Sequence, residues 1–296
     1  MNAIDIQPVF TKNMLDRMDN LRLEILNMRK SETDKYVLLS KGCILLNAER
    51  NCFITATALP EAILNEGNCI FLGGKQKERY FAISVSPELA EQYEAVPLRA
   101  FINEQTLSDD KYGVLGEANS LLNWHHSHRF CSRCGNESIA AYGGWRRDCP
   151  SCEALHFPRT DPVVIMLVTR GEQCLLGRSY NFAEKHYSCL AGFIEPGETF
   201  EQAALRELWE EAGVKGGKVT YMLNQPWPFP SNLMLGVHVE AETSELTVDY
   251  NELEDAMWVD KSEVKAVLNG VEGKAFTLPA RIAIARDLLT SWVKEA

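Results

Sequence analysis

The 296-residue chain has no apolar stretch long enough to span a bilayer; its longest such run, Pro162 to Thr169, is strand-sized. The N-terminus, MNAIDIQPVFTKN, lacks a basic region followed by an apolar core, so no secretory leader is expected. At the other end, WVKEA carries no receptor-read address. No dense Lys/Arg block is present and the formal net charge is −11, which argues against general binding to nucleic acid or to an anionic membrane. Low-complexity tracts are missing and no internal repeat is visible in the residues, so wholesale disorder is excluded. A disulfide framework is not expected either. The nine cysteines are odd in number and unevenly spaced, and Cys43, Cys52, Cys69, Cys174 and Cys189 lie singly in mostly apolar segments, as small buried hydrophobes do. These absences read as a soluble, cytoplasmic protein. An acidic chain still binds a phosphate ester when a divalent cation bridges the two.

What is there suffices for two compact domains and a small module, since 46% of the residues are hydrophobic. Residues 1–120 carry short strand-like runs at 36–40, 43–47, 52–59, 69–74 and 80–86. Two stretches with helical spacing follow, Ser86 to Glu104 and Asp109 to His128. This region shows no catalytic constellation and reads as a structural or dimerising mixed α/β domain. Residues 121–157 hold two cysteine pairs. Residues 158–296 alternate strands with one conspicuous helix, Phe200 to Ala212, and close on an amphipathic helix, Arg281 to Lys294. The expected class is α+β, with an α/β/α sandwich around a mixed sheet as the last domain.

Cys131 and Cys134 form one C-x-x-C knuckle and Cys149 and Cys152 a second, separated by fourteen residues. Two such turns aim four thiolates at one point, and a tetrahedral sulfur site favours Zn²⁺. Four protein ligands leave no open position, so this metal is expected to be structural. His125, His126 and His128 precede the first knuckle, and a helix-end cluster fits them better than metal ligation. Trp145-Arg146-Arg147 offers one stacking ring and two cations, a thin basis for nucleic-acid contact.

The segment Gly192 to Val214 reads GFIEPGETFEQAALRELWEEAGV. On a helix, Glu207, Glu210 and Glu211 fall on one face, where three carboxylates repel one another. A divalent cation relieves that repulsion, and Mg²⁺ or Mn²⁺ suits oxygen ligands while keeping sites for substrate phosphate. Glu198 follows a Pro-Gly turn that swings it toward the same point. Thr199 is a plausible N-cap, Arg206 can orient a carboxylate by a bidentate pair, and Gly213 suits the C-terminus.

The spacing of Gly192, Glu198, Arg206, Glu207, Leu208, Glu210, Glu211, Gly213 and Val214 resembles the Nudix hydrolase signature, G-x5-E-x7-R-E-U-x-E-E-x-G-U, at every fixed place. Downstream, NQPWPFPSN at 224–232 resembles the S-Q-P-W-P-F-P-x-S motif of the NADH pyrophosphatase subfamily, with Asn224 and Asn232 standing where serine is usual. The zinc ribbon before the Nudix segment and the WHxxxxFCxxCG run from Trp124 to Gly135 are further likenesses. They cover residues 121–296 well and residues 1–120 only by position.

The resemblance implies hydrolysis of the diphosphate of NAD(H) to NMN(H) and AMP. Glu207, Glu210, Glu211 and Glu252 would hold Mg²⁺ or Mn²⁺, with Arg206 and Glu198 in the catalytic set and one of Glu210, Glu211 or Glu252 taking a proton from water. It implies a substrate-binding set of Phe157, Phe193, Gln225, Trp227, Asn232, Glu252 and Ala285. Phe193 would stack on the nicotinamide, and the QPWPFP loop would reach the site across a homodimer. In AIARDLL, Ala283 replaces the serine of the family's S-I-A segment. The competing readings are removal of NAD caps from RNA 5′ ends, hydrolysis of ADP-ribose or dinucleoside polyphosphates, and a non-hydrolytic sensor, against which the complete glutamate set argues.

Overall fold

The computed structural model describes residues 6–25, 30–64, 69–271 and 275–294. The outermost residues, on which the readings of the two termini partly rest, lie outside them. Among the described residues no helix is long and apolar enough to cross a membrane. The chain divides into two compact units: Lys12–Thr160 together with Trp227–Ser231, and Met1–Thr11 together with Asp161–Pro226 and Asn232–Ala296.

The first unit is built on strands β1 (Lys35–Ser40), β2 (Cys43–Leu46), β3 (Ile54–Thr55), β4 (Cys69–Lys75), β5 (Glu78–Ser84) and β6 (Glu94–Pro97). They pair in the order β4-β5-β1-β2-β6, with β3 also on β1; β1 runs parallel to β5 and antiparallel to β2. Helices α1 (Glu61–Leu64), α2 (Pro87–Ala90), α3 (Leu98–Asn103) and α4 (Asp109–Ser127) accompany them. The Ser86 to Glu104 stretch, expected as helix, is broken into α2, β6 and α3. Pro97 disfavours helical backbone at Val96, and β6 pairs with β2 instead. The strand expected over 52–59 shrinks to β3 and a 3-10 turn. The same unit carries the ribbon, a three-stranded sheet of β7 (Ile139–Ala141), β8 (Arg146–Asp148) and β9 (Leu155–His156).

The second unit holds β10 (Asp161–Arg170), β11 (Gln173–Ser179), β12 (Leu190–Phe193), β13 (Gly216–Trp227), β14 (Asn232–Ala241) and β15 (Leu253–Asp260). Their order is β13-β14-β10-β11-β15, with β12 also on β10. The central strand β10 runs parallel to β14 and antiparallel to β11 and β12, so the sheet is mixed. Alternate β10 side chains enter different cores, as the pleat dictates. Val164, Met166 and Val168 pack with Ala203, Ala204, Leu208 and Ala212 of α5 (Phe200–Ala212). Ile165 and Leu167 pack with Val264 of α6 (Lys261–Leu268) and Ile284, Leu288 and Trp292 of α7 (Ile284–Lys294). This is the expected α/β/α sandwich.

The two large sheets share one topology. In each, the central strand (β1 or β10) lies parallel to one neighbour and antiparallel to the next, and the short strand β3 or β12 adds to it. The repeat that the residues do not display is therefore present in the fold. What differs is the helix after the short strand: among the described residues it has four residues in α1 and thirteen in α5.

Candidate metal and substrate site

Helix α5 is delimited by its own sequence. Thr199 accepts from the Gln202 N–H through its hydroxyl, and the Gln202 side chain accepts from the Thr199 N–H at 2.9 Å, a reciprocal capping box. Gly213 ends the helix at φ 67°, and its N–H donates to the Trp209 carbonyl at 2.9 Å. Ala203, Ala204, Leu208 and Ala212 bury one face. The other face carries the acids.

Ligand oxygens of Glu207, Glu211 and Glu252 all lie within 4.8 Å of one another. Glu211 is buried, and its Oε2 has no hydrogen-bond partner. Burial, followed by the charges of Glu207, Glu252 and Glu210, pushes the Glu211 carboxyl up to about 8. Burial also raises Glu207. An orphaned carboxylate oxygen beside two further carboxylates is the donor set of a hard divalent cation, so the residues fit Mg²⁺ or Mn²⁺. Gly192, on β12, makes room for it. A Cβ there would lie 1.8 Å from the Glu207 Cδ, which explains a glycine whose backbone needs no unusual angle.

Arg206 is the hub of the remaining acids. Its Nε and Nη2 donate to the two carboxylate oxygens of Glu198 at 2.7 and 2.9 Å. Nη1 donates to Glu207 at 2.8 Å and Glu210 at 2.9 Å, and Nη2 also to the Phe193 carbonyl at 2.9 Å. Glu198 accepts as well from the Glu195 N–H at 2.9 Å, and its carboxyl is held down at about 2, chiefly by Arg206. Glu198 thus orients the arginine rather than joining the three-carboxylate cluster. Glu210, with a side chain 51% exposed, is likewise outside that cluster and paired to Arg206.

The expected substrate residues separate into two groups. Phe193 ends β12 with 57% of its surface exposed, and in the other unit Phe157 follows β9 at 64%. Asn232 begins β14 opposite Asp161 of β10 and is partly exposed. Gln225 and Ala285 are buried. Gln225 is fully buried: its amide donates to the carbonyls of Val9 and Ile282 at 2.9 Å and accepts from the Ile284 N–H at 3.0 Å. Ala285 lies in the core beside Ile284 and Leu288. Gln225 thereby ties β13 to the start of α7.

In the ribbon the four cysteine sulfurs also lie within 4.8 Å of one another, with Sγ–Sγ separations of 3.6 Å for Cys131 and Cys152 and 3.4 Å for Cys134 and Cys149. The knuckles repeat the same turn. Gly135 N–H donates to the Cys131 carbonyl at 2.8 Å, and Glu153 N–H to the Cys149 carbonyl at 2.9 Å. Both turn residues are left-handed, at φ 78° and 59°. The tetrathiolate set fits Zn²⁺. His125 is no ligand: its Nδ1 is 2.9 Å from Arg147 Nη1 and its Nε2 2.7 Å from the Gly144 carbonyl.

Trp145-Arg146-Arg147, the one basic-aromatic run, is spent internally. Trp145 donates to the Phe71 carbonyl at 2.7 Å beneath the Arg22 guanidinium, and Arg146 pairs with Asp148 at 2.7 Å. Buried Arg147 donates to the Ser138 hydroxyl and carbonyl.

A mixed-sheet sandwich with a capped glutamate helix over a glycine-bearing strand defines a Nudix-fold protein. Residues 159–279 match the NUDIX domain, residues 33–124 the NADH pyrophosphatase-like rudimentary NUDIX domain and residues 126–157 the NADH pyrophosphatase zinc ribbon domain. The chain is 36% identical over 220 residues to the NAD-capped RNA hydrolase NudC of Chromobacterium violaceum, covering 74% of this chain and 78% of that protein. It is 42% identical over 234 residues to the NAD-capped RNA hydrolase NUDT12 of Homo sapiens, covering 73% of this chain and 50% of that one. With the mitochondrial NAD(P)H pyrophosphatase NUDT13 of Mus musculus it shares 38% over 192 residues, covering 61% and 54%. The chain therefore belongs to the Nudix family, in its zinc-ribbon NADH pyrophosphatase branch. It spans about half the length of the human relative.

The rudimentary domain accounts for the shared sheet topology. The repeat is hard to see in the residues because the described helix after β3, Glu61–Leu64, carries no glutamate pattern like that of α5.

Proposed function

We propose that the chain hydrolyses the diphosphate of NAD(H), giving NMN(H) and AMP. The observation that carries this is the convergence of Glu207, Glu211 and Glu252 with a buried, unpartnered Glu211 oxygen beside Gly192. A bound Mg²⁺ or Mn²⁺ would polarise phosphoryl oxygens and acidify a water. The chain's own groups do the rest. Arg206 holds Glu207 and Glu210 in place and is itself held by Glu198. The proton of the attacking water passes to one of Glu210, Glu211 and Glu252. Water adds to one phosphorus, the bridging oxygen leaves with the other, and two monophosphates result.

By the resemblance, Phe157, Phe193, Gln225, Trp227, Asn232, Glu252 and Ala285 would contact the substrate, the rings of Phe157, Phe193 and Trp227 offering flat faces for nicotinamide or adenine. The NADH pyrophosphatase resemblance of the 225–230 loop and the names of the relatives support the dinucleotide. The resemblance also supports a homodimer. No disulfide joins any of the nine cysteines, four of which form the tetrathiolate set, and this suits a reducing, cytoplasmic compartment.

The test is a panel of NADH, NAD⁺, ADP-ribose and diadenosine polyphosphates with Mg²⁺ or Mn²⁺, read by chromatography. AMP and NMNH from NADH are expected; their absence sinks the reading. A second reading, removal of NAD caps from RNA, is favoured by two relatives named for it. Against tight binding of the RNA body stand the net charge of −11 and the internal use of Trp145, Arg146 and Arg147. Turnover of NADH and NAD-capped RNA at matched concentration separates the two.

A further inference from the structure

The hairpin tip between β13 and β14 is Trp227-Pro228-Phe229-Pro230-Ser231. Pro228 and Pro230 have no N–H to give, so the tip cannot close a hairpin ladder through them. Within it, the Phe229 N–H donates to the Trp227 carbonyl at 2.8 Å, and the two rings meet edge to face at 5.1 Å. The carbonyls of both prolines are instead caught by α4. Asn119 Nδ2 donates to the Pro228 carbonyl at 2.6 Å, and Ser120 Oγ to the Pro230 carbonyl at 3.1 Å. The Arg99 guanidinium of α3 lies 5.4 Å over the Trp227 ring.

Asn119 is only 4% exposed, on a helix whose neighbouring Leu115, Ala118, Leu121 and Leu122 are buried apolar residues. A buried amide at such a position is costly unless it is bonded, and leucine would serve the core better. Its bond to Pro228 is a reason for it to be there. The strand below is fixed separately, since the amide of Gln225 is saturated by three backbone groups.

We infer that Asn119, assisted by Ser120 and Arg99, is a positioning residue that holds the Trp227–Ser231 loop in its substrate-binding shape. This gives the rudimentary domain a task although no glutamate helix like α5 stands among its described residues. It rests on the NAD(H) reading for what the loop meets, but not for the hold itself.

Two variants test it, Asn119→Leu, which removes the donor, and Ser120→Ala, which alters a half-buried hydroxyl without threatening the core. Fluorine NMR of 5-fluorotryptophan protein follows the loop, the Trp227 resonance being assigned by its loss in Trp227→Phe. In both variants that resonance is expected to shift and narrow. KM for NADH should rise by about fivefold to tenfold, the loss of one hydrogen bond, with kcat and zinc content unchanged. An unmoved Trp227 resonance in both variants overturns the hold. A moved resonance with an unchanged KM overturns the positioning role. Failure of the wild-type chain to turn over NADH removes the substrate reading alone, and the resonance still reports on the hold.

Discussion

Glu211 supplies the sharpest test of the metal site, because it makes the metal-free protein unstable in a defined pH window. Its carboxyl is buried against Glu207 and Glu252, and the folded state raises it from an ordinary value of 4.5 to about 8. A carboxyl raised in this way binds its proton more tightly folded than unfolded. The stability it lends is complete below about 4.5 and is lost as the pH rises through about 8. At about 1.4 kcal/mol per pH unit, ionising it in place costs on the order of 5 kcal/mol, comparable to the whole stability of a marginal domain. For a domain of this size that corresponds to at least roughly 10 °C in Tm. In EDTA, thermal unfolding followed from pH 5 to pH 9 should therefore show a falling Tm. Glu211→Gln removes the ionisation and puts an amide N–H where Glu207 and Glu252 can accept it. The variant should hold a nearly flat Tm and exceed the wild type at pH 8 by about the same 10 °C. Millimolar Mg²⁺ should restore the wild type and leave the variant unmoved. A variant no more stable than wild type at pH 8 without metal would refute the reasoning, as would equal stabilisation of both by Mg²⁺.

Three further outcomes follow from the geometry. Gly192→Ala places a methyl group on the Glu207 carboxylate, so kcat/KM should fall by about 10²-fold while Tm stays near wild type, since the clash is with a side-chain end; full activity would show that Glu207 does not act from over Gly192. Glu153→Gly removes a side chain from a left-handed turn and should stabilise the ribbon by about 1 kcal/mol in chemical denaturation, while Gly135→Ala at the matching place should destabilise it by a similar amount. Cys149→Ser should abolish zinc retention measured by atomic absorption and lower Tm; retained zinc at the wild-type level would remove the tetrathiolate assignment.

What was legible in the residues is what chemistry forces onto fixed spacings. Glu207 and Glu211 stand four apart so that one helix face aims both at one point, and thiolates for one zinc sit in paired knuckles. The capping box at Thr199 and the left-handed Gly213 also show in the letters, because few residues do either task. The burial of Gln225 and Ala285 was hidden for the opposite reason. A glutamine inside a substrate-loop motif reads as a ligand contact, but spacing does not say whether its amide meets a ligand or a backbone, and here three backbone groups saturate it. The partners of Arg146 and Arg147 were hidden in the same way: cations near an aromatic ring offer a thin basis for nucleic-acid contact until Asp148 and Ser138 are seen to occupy them.

The duplicated sheet was the least legible feature, and its chemistry explains why. A strand that need only be buried accepts any apolar residue of suitable volume, so the pairing order β4-β5-β1-β2-β6 survives while the identities drift. A helix that binds a cation has no such latitude. Once its carboxylates go, nothing selects for thirteen residues of crowded acid, and among the described residues between β3 and β4 stand only a 3-10 turn, Ala56–Ala58, and the short helix α1. The retained part of the rudimentary domain is then its sheet together with α3 and α4, the elements carrying Arg99, Asn119 and Ser120. The polar residues left buried in a degenerate copy mark what that copy still does: Asn119 faces the proline-rich loop rather than a metal.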